Sequence, residues 1–177
     1  MRKGAQVVED IKKTTGNDKV EVMELDLTSL QSVRNFVDRF RATKLPIHVL
    51  ICISSIRSPL SSLTRIINSA FDLGNAGIMA CPYAKTMDGF ESQFAVNRLA
   101  HFLLVRSLVP ELEAGRPSRV VVVSSVANTF SGIHWKDIHW ETTYDKWLAY
   151  GQSKTAHILF ANQLNKLYAS QGIQAHS

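Results

Sequence analysis

Tyr150 and Lys154 stand four residues apart in the run Ala149-Tyr150-Gly151-Gln152-Ser153-Lys154. On a helix that spacing puts a phenol and an ammonium on one face. The chemistry it favours is proton transfer. A free phenol ionises near pH ~10 and carries protons poorly at neutral pH unless a neighbouring cation favours the phenolate. Lys154 is placed to be that cation, so the pair predicts a Tyr150 whose pKa is lowered. The same spacing is common on solvated helix faces, and the pair gains meaning from residues upstream.

Asn75-Ala76-Gly77 follows a strand-like stretch, Asn97 falls in a helical one, and Ser124-Ser125 closes the run Val120-Val121-Val122-Val123. In this order, with Tyr150 and Lys154, these elements resemble the short-chain dehydrogenase/reductase family, in particular its retinol-dehydrogenase-like and WW-domain-oxidoreductase-like members. The likeness is closest from Met87 to Asn97 and from Ala149 to Ala161. Residue by residue, it implies a catalytic tetrad of Asn97, Ser125, Tyr150 and Lys154. It implies cofactor contacts from Asp26, Asn75, Ala76, Gly77, Asn97, Tyr150 and Lys154.

The reaction the resemblance implies is hydride transfer between a nicotinamide and an alcohol or carbonyl carbon. NADP is the expected dinucleotide, NAD the alternative, and the substrate a small hydrophobic alcohol or carbonyl compound. In that scheme Tyr150 moves the proton as general acid or base. Ser125 holds the substrate oxygen by a bond that strengthens as charge builds there. Lys154 lowers the tyrosine pKa and binds the nicotinamide ribose, and Asn97 orders a water that links the lysine to solvent. The 25-residue separation of Ser125 from Tyr150 matches this branch and favours Ser125 over Ser124. Asp26 reads equally as an adenine contact or as a residue of the turn before the next helix. Asn97 also reads as a mid-helix surface residue, although asparagine is an unusual choice there without a task.

Composition limits the partners. With 177 residues, 45% hydrophobic and 20% charged, the chain can bury one core of ordinary size. The net charge is +5, yet Lys and Arg are spread along the chain without a basic run, which argues against a nucleic-acid partner. Cys52 and Cys81 have no metal-like spacing to each other or to a histidine, so no metal site is expected. The six histidines, His101 four residues after Asn97 among them, read as surface or loop residues. No window of eighteen apolar residues predicts a membrane span, and the amino terminus lacks the apolar core of a signal peptide, so the expected location is cytoplasmic.

The elements that must position these residues alternate. Val7, Val8 and Ile11 predict a helix stopped by Gly16-Asn17, and Val20 to Leu25 a short strand. Thr28-Ser29-Leu30-Gln31 has the form of a capping box before a helix with Leu30, Val33, Phe36, Val37 and Phe40 on its apolar face. A strand from His48 to Ile53, a helix over 88–108, a strand from Arg119 to Ser125, a helix over 148–170 and a strand from Ile173 complete the order. Alternation of this kind predicts the α/β class, a doubly wound parallel sheet of Rossmann type.

Relative to the family, the sheet is expected to be partial. In the resemblance two strands and a glycine-rich phosphate-binding turn precede the first helix seen here, and the nine glycines of this chain include no such cluster. The family order 3-2-1-4-5-6-7 then predicts that the Val20–Leu25 strand is orphaned and that one flank of the His48–Ile53 strand is open. The last strands are likewise expected to be missing. The chain is thus read as one incomplete dinucleotide-binding domain, 1–177, with an insertion at 53–74 that acts as a longer loop and reads as a retained intron or splice variant, with a natural lineage-specific insertion as the alternative. Two readings follow from different classes: an NADP-dependent oxidoreductase, or an inactive truncated fragment that associates with a full-length relative. The resemblance also implies a homodimer through the helices over 88–108 and 148–170.

Overall fold

Among the described residues, a single six-stranded sheet collects every strand. The computed structural model describes residues 2–53, 64–67, 70–73 and 77–177, with side chains for 4–53 and 77–177. Asn75, Ala76 and most of the 53–74 block therefore lie outside the described residues.

Helix α1 (Arg2–Thr15) ends at Gly16, whose φ of +68° is a conformation glycine adopts without a Cβ penalty. Strand β1 (Val20–Met23) leads to helix α2 (Leu30–Ala42), which buries Val33, Phe36, Val37 and Phe40 as the apolar periodicity predicts. Its N-cap is Ser29, whose Oγ accepts from the Ser32 N–H at 3.3 Å. The capping box predicted on Thr28 is thus displaced by one residue, and Gln31 donates to Asn35 Oδ1 at 2.9 Å instead of returning to the cap.

Strands β2 (Val49–Cys52), β5 (Ser118–Val122) and β6 (Ile173–His176) run parallel, with Leu50 opposite Val120 and Val120 opposite Ala175. Between β2 and β5 in the chain lie β3 (Thr64–Ile67), β4 (Ala70–Leu73) and the helices α3 (Ser92–Phe94), α4 (Ala100–Ser107) and α5 (Val109–Ala114). Helix α6 (Lys146–Tyr168) connects β5 to β6, capped by Asp145, which accepts from the N–H groups of Trp147 and Leu148 at 2.8 and 2.9 Å. The core between the sheet and the helices includes Phe36, Leu50, Leu104, Val120, Phe160 and Leu164.

Three expectations about the sheet are corrected. Its order is β1-β3-β4-β2-β5-β6, so β1 is joined to the rest and is not orphaned. The flank of β2 expected to be open is paired in parallel with β4. The inserted block is not simply a longer loop, because it supplies the hairpin β3–β4 that stands between β1 and β2, where the family order places two other strands. The physical reason is that an open strand flank presents a row of unpaired main-chain donors and acceptors, and segments such as Ile66-Ile67 have the β-branched character to fill it. The cost is one reversal: β3 is antiparallel to both neighbours, so the sheet is mixed and not purely parallel.

Candidate active site

After its exposed first turn, α6 is covered on all sides, with Ala149, Tyr150, Gly151, Gln152, Ser153 and Lys154 all buried. Gly151 explains how a second element comes so close. A Cβ there would stand 2.7 Å from the Ala127 carbonyl oxygen and 3.0 Å from Phe130 Cβ. Only a residue without a side chain lets the 3-10 turn Val126–Phe130 lie against the helix at this point. Ser125 caps that turn, its Oγ accepting from the Ala127 N–H at 3.2 Å, and its side chain acts on the Tyr150 phenol, favouring the phenolate. Its neighbour faces elsewhere: Ser124 Oγ donates to the Lys154 carbonyl at 2.9 Å.

Lys154 lies beside the same phenol, with Nζ 5.4 Å from the centroid of the Tyr150 ring and donating to the Val123 carbonyl at 3.3 Å. Burial pushes the lysine down to about 8. The phenol moves the other way. Burial raises the Tyr150 pKa above its usual value, and the Ser125 side chain opposes that rise. The lowered tyrosine pKa predicted from the spacing is therefore corrected, because removing a phenolate from water outweighs what the surrounding groups give back.

Asn97 sits in a π-helical turn, Ala95–Leu99, between α3 and α4, and is fully buried. Its Oδ1 accepts from the Ile78 N–H at 3.0 Å, and its Nδ2 donates to the Ile78 carbonyl at 2.9 Å and to Ser153 Oγ at 3.1 Å. Its main-chain carbonyl is met by His101 Nδ1 at 2.7 Å and by His157 Nε2. Both amide protons and both carbonyl lone pairs are thus engaged by protein. Asn97 acts as a clamp between the segment after Gly77, the π-turn and α6.

Gly77 itself is half-buried and precedes this clamp. Gln93 continues it, Oε1 accepting from the Ala80 N–H at 2.8 Å while Nε2 donates to Tyr144 Oη at 2.7 Å and to the Lys146 carbonyl at 2.9 Å. Asp26 does not join the cluster among the described contacts. Its Oδ1 accepts from the N–H and hydroxyl of Thr28 at 2.9 and 2.7 Å, which is the local turn that the sequence left open as its second reading.

Two buried histidines correct the reading of these residues as surface groups. His101 and His157 are fully inaccessible, and burial pushes them down to about 4 and about 3. A signal for His157 was present in the sequence: it lies three residues after Lys154 and seven after Tyr150, on the same helical face. An open cleft of about 430 Å³ lies beside Ser125, lined by Val121, Val123, Asn128, Ile158 and His176. Among the described residues no group of histidine, cysteine and carboxylate side chains could hold a metal ion, and no helix is long and apolar enough to cross a membrane.

A family model described as short chain dehydrogenase matches residues 1–177. The chain belongs to the short chain dehydrogenase family. It is 38% identical to human retinol dehydrogenase 11 over 177 residues, all of this chain and 49% of that protein. It is 40% identical to human polyprenol dehydrogenase over 174 residues, 96% of this chain and 46% of that protein. A solved structure of an uncharacterized protein from Mycobacterium paratuberculosis is similar with a TM-score of 0.64 at 39% identity, covering 87% of this chain and 47% of that one. A short-chain dehydrogenase from Streptomyces avermitilis, 17% identical with a TM-score of 0.60 over 96% of this chain and 50% of that one, shares the fold. This short chain dehydrogenase chain spans about half the length of the curated relatives it matches.

Proposed function

We propose that the protein is an NADP-dependent oxidoreductase that interconverts a hydrophobic alcohol and its carbonyl compound. The observation that carries this reading is the Lys154 ammonium beside the Tyr150 ring on a buried helix face, with the Ser125 side chain acting on the same phenol. A hydroxyl, a phenol and an ammonium on one covered surface fit the nicotinamide–ribose end of a dinucleotide and the oxygen of an alcohol. When bound, the dinucleotide supplies or takes the hydride. The chain's residues do the rest. Ser125 holds the substrate oxygen, and Tyr150 gives it a proton in reduction or removes one in oxidation. Lys154 supplies positive charge beside the phenol and holds the ribose, with Asn97 fixing Ser153 and therefore the turn of α6 between them.

The names of the similar retinol dehydrogenases and polyprenol dehydrogenase support a hydrophobic alcohol as substrate, and NADP is the dinucleotide that the retinol-dehydrogenase-like resemblance implies. A homodimer through the helices over 88–108 and 148–170 belongs to the same reading. Phe102, Leu159 and Leu167 present large apolar side chains there, 41%, 49% and 50% exposed, and sedimentation as a monomer at micromolar concentration would remove it.

The test uses a long-chain allylic alcohol and NADP, followed by nicotinamide absorbance. Turnover is expected to fall about 10²–10⁴-fold in Tyr150→Phe, the usual contribution of a positioned acid or base. Titration of the unmodified chain with NADPH should quench fluorescence from Trp135, Trp140 and Trp147 to saturation. No quenching together with no turnover by the unmodified chain would overturn the reading.

A further inference from the structure

Near its carboxyl end, helix α6 carries an asparagine that the proposed reaction does not use. Asparagine is unfavourable inside a helix, where its amide competes with the main chain, and Asn165 lies one turn before the Ala169 C-cap. Its carboxamide reaches from the helix to β6. There Oδ1 accepts from the Ala175 N–H at 2.7 Å and Nδ2 donates to the Ala175 carbonyl at 2.5 Å. One side chain therefore takes both main-chain groups of one strand residue. Those groups point out of the sheet: the Ser118 N–H donates to the Gly172 carbonyl at 3.0 Å, and main-chain groups alternate in direction along a strand. Gly172, Gln174 and His176 thus address β5, and Ala175 addresses the opposite flank.

Among the described residues no strand lies on that flank, because β6 ends the order β1-β3-β4-β2-β5-β6. An open flank is a template for pairing with another chain, and native sheets blunt it with charge, with proline or with a cover. The opposite edge of this sheet uses charge: Glu21 is exposed in β1, between exposed Lys19 and Glu24. Strand β6, Ile173-Gln174-Ala175-His176, contains no lysine, arginine, carboxylate or proline. Its cover is the amide of Asn165. The form of the contact identifies the neighbour that the amide replaces. In an antiparallel ladder, two directly opposed residues exchange both N–H···O bonds. Asn165 exchanges both with Ala175 and so occupies the place of a residue in an antiparallel strand. A second copy of this chain can supply such a strand, since a two-fold axis beside β6 sets Ala175 of each copy opposite the other.

We propose that Asn165 is an edge guard, its carboxamide holding the outer flank of β6 closed to antiparallel pairing with β6 of a second copy. The hydrogen bonds at Ala175 decide the direction. Pairing breaks two Asn165–Ala175 bonds in each copy and makes two between the Ala175 residues, so four protein bonds are exchanged for two and both asparagine amides return to water. With the guard in place the closed edge is favoured. Without the carboxamide, the N–H and carbonyl of a buried residue lose their partners, which main-chain groups seldom tolerate, and an incoming strand restores both. The edge is separate from the helix faces over 88–108 and 148–170 that carry the proposed homodimer. Edge pairing would add to that assembly and not replace it. The inference is independent of the oxidoreductase reading.

The experiment compares the full unmodified chain with Asn165→Ala by sedimentation velocity at rising concentration, together with hydrogen exchange at the Ala175 amide. At each concentration the variant should be heavier than the unmodified chain, approaching twice its mass at the top of the range. Its Ala175 amide should exchange quickly when dilute and regain protection as the mass rises, whereas in the unmodified chain that amide stays protected throughout. Equal masses at every concentration, in a variant with a native-like amide spectrum, would overturn the proposal and leave Asn165 as a brace for β6. Association that leaves the Ala175 amide unprotected would overturn it too, because the contact would then lie elsewhere. Should Asn165→Ala not fold, Asn165→Ser, whose hydroxyl meets the two Ala175 groups less completely than a carboxamide, is read in the same way and the same outcomes decide. Neither readout involves turnover or a dinucleotide, so failure of the guard is distinguishable from failure of the oxidoreductase reading.

Discussion

Tyr150 is pulled in opposite directions by its surroundings. Covering the ring removes the phenolate from water and raises the pKa, and the Ser125 side chain lowers it again without cancelling the first effect. The spacing of Tyr150 and Lys154 correctly places cation and phenol together, at 5.4 Å from ammonium to ring centroid, but spacing carries no information about solvent exclusion, and that effect decides the direction. The serine is thus the group that keeps the phenol closest to its ordinary range. Ser125→Ala is expected to raise the Tyr150 pKa further, read as a later phenolate transition in 13C-tyrosine NMR of the dinucleotide-free chain; an unchanged or earlier transition would show that the hydroxyl does not stabilise the phenolate. Asn97 gives a similar lesson. Its choice in a helical stretch signalled a task, whereas the nature of that task, a five-way clamp among Ile78, Ser153, His101 and His157, depends, apart from the local His101, on partners 19 to 60 residues away that no local pattern reveals.

The contact between the Val126–Phe130 turn and α6 is what brings serine to tyrosine, and Gly151 sets its closeness. Ala is favoured over Gly inside a helix by about 1 kcal/mol. Here a methyl group would meet the Ala127 carbonyl oxygen at 2.7 Å, and main chain yields less readily than a flexible side-chain end. Overpacking of this kind costs about 1–3 kcal/mol, so Gly151→Ala should be net destabilising, with a lower urea midpoint. A raised midpoint would mean that helix propensity wins. Most elements were legible because each carries its own pattern: the α2 stripe, the β-branched run of β5 and the extent of the long helix α6 appear close to where the sequence predicts them. The helix expected from Asp88 instead starts at Ser92, because the Glu91 carboxylate caps it by accepting from the N–H groups of Gln93 and Phe94. The β3–β4 hairpin escaped the pattern for a different reason. Its strands are four residues each, too short for alternation to stand out, and their place is dictated by the gap between β1 and β2.

For the molecule as a whole, the two buried histidines tie stability to pH. Above about pH 6.5, the ordinary histidine value, neither folded nor unfolded chain protonates them, and their effect is nil. As pH falls below that value, the unfolded chain takes up protons that the folded chain refuses until about 4 for His101 and about 3 for His157. Stability must therefore drop through that window. Urea midpoints measured at pH 7 and pH 5 should show the lower value at pH 5, with the difference reduced in His157→Gln; equal midpoints would contradict neutral, buried rings. The clamp of Asn97 and Gln93 reaches beyond the chemistry. Residues 77–84 form neither helix nor strand, yet the N–H of Ile78 is held by a buried asparagine and that of Ala80 by a buried glutamine. Under deuterium labelling these two amides should retain hydrogen for as long as those of β5, so a connecting segment without regular form would report the opening of the protein's centre, not the fraying of its rim.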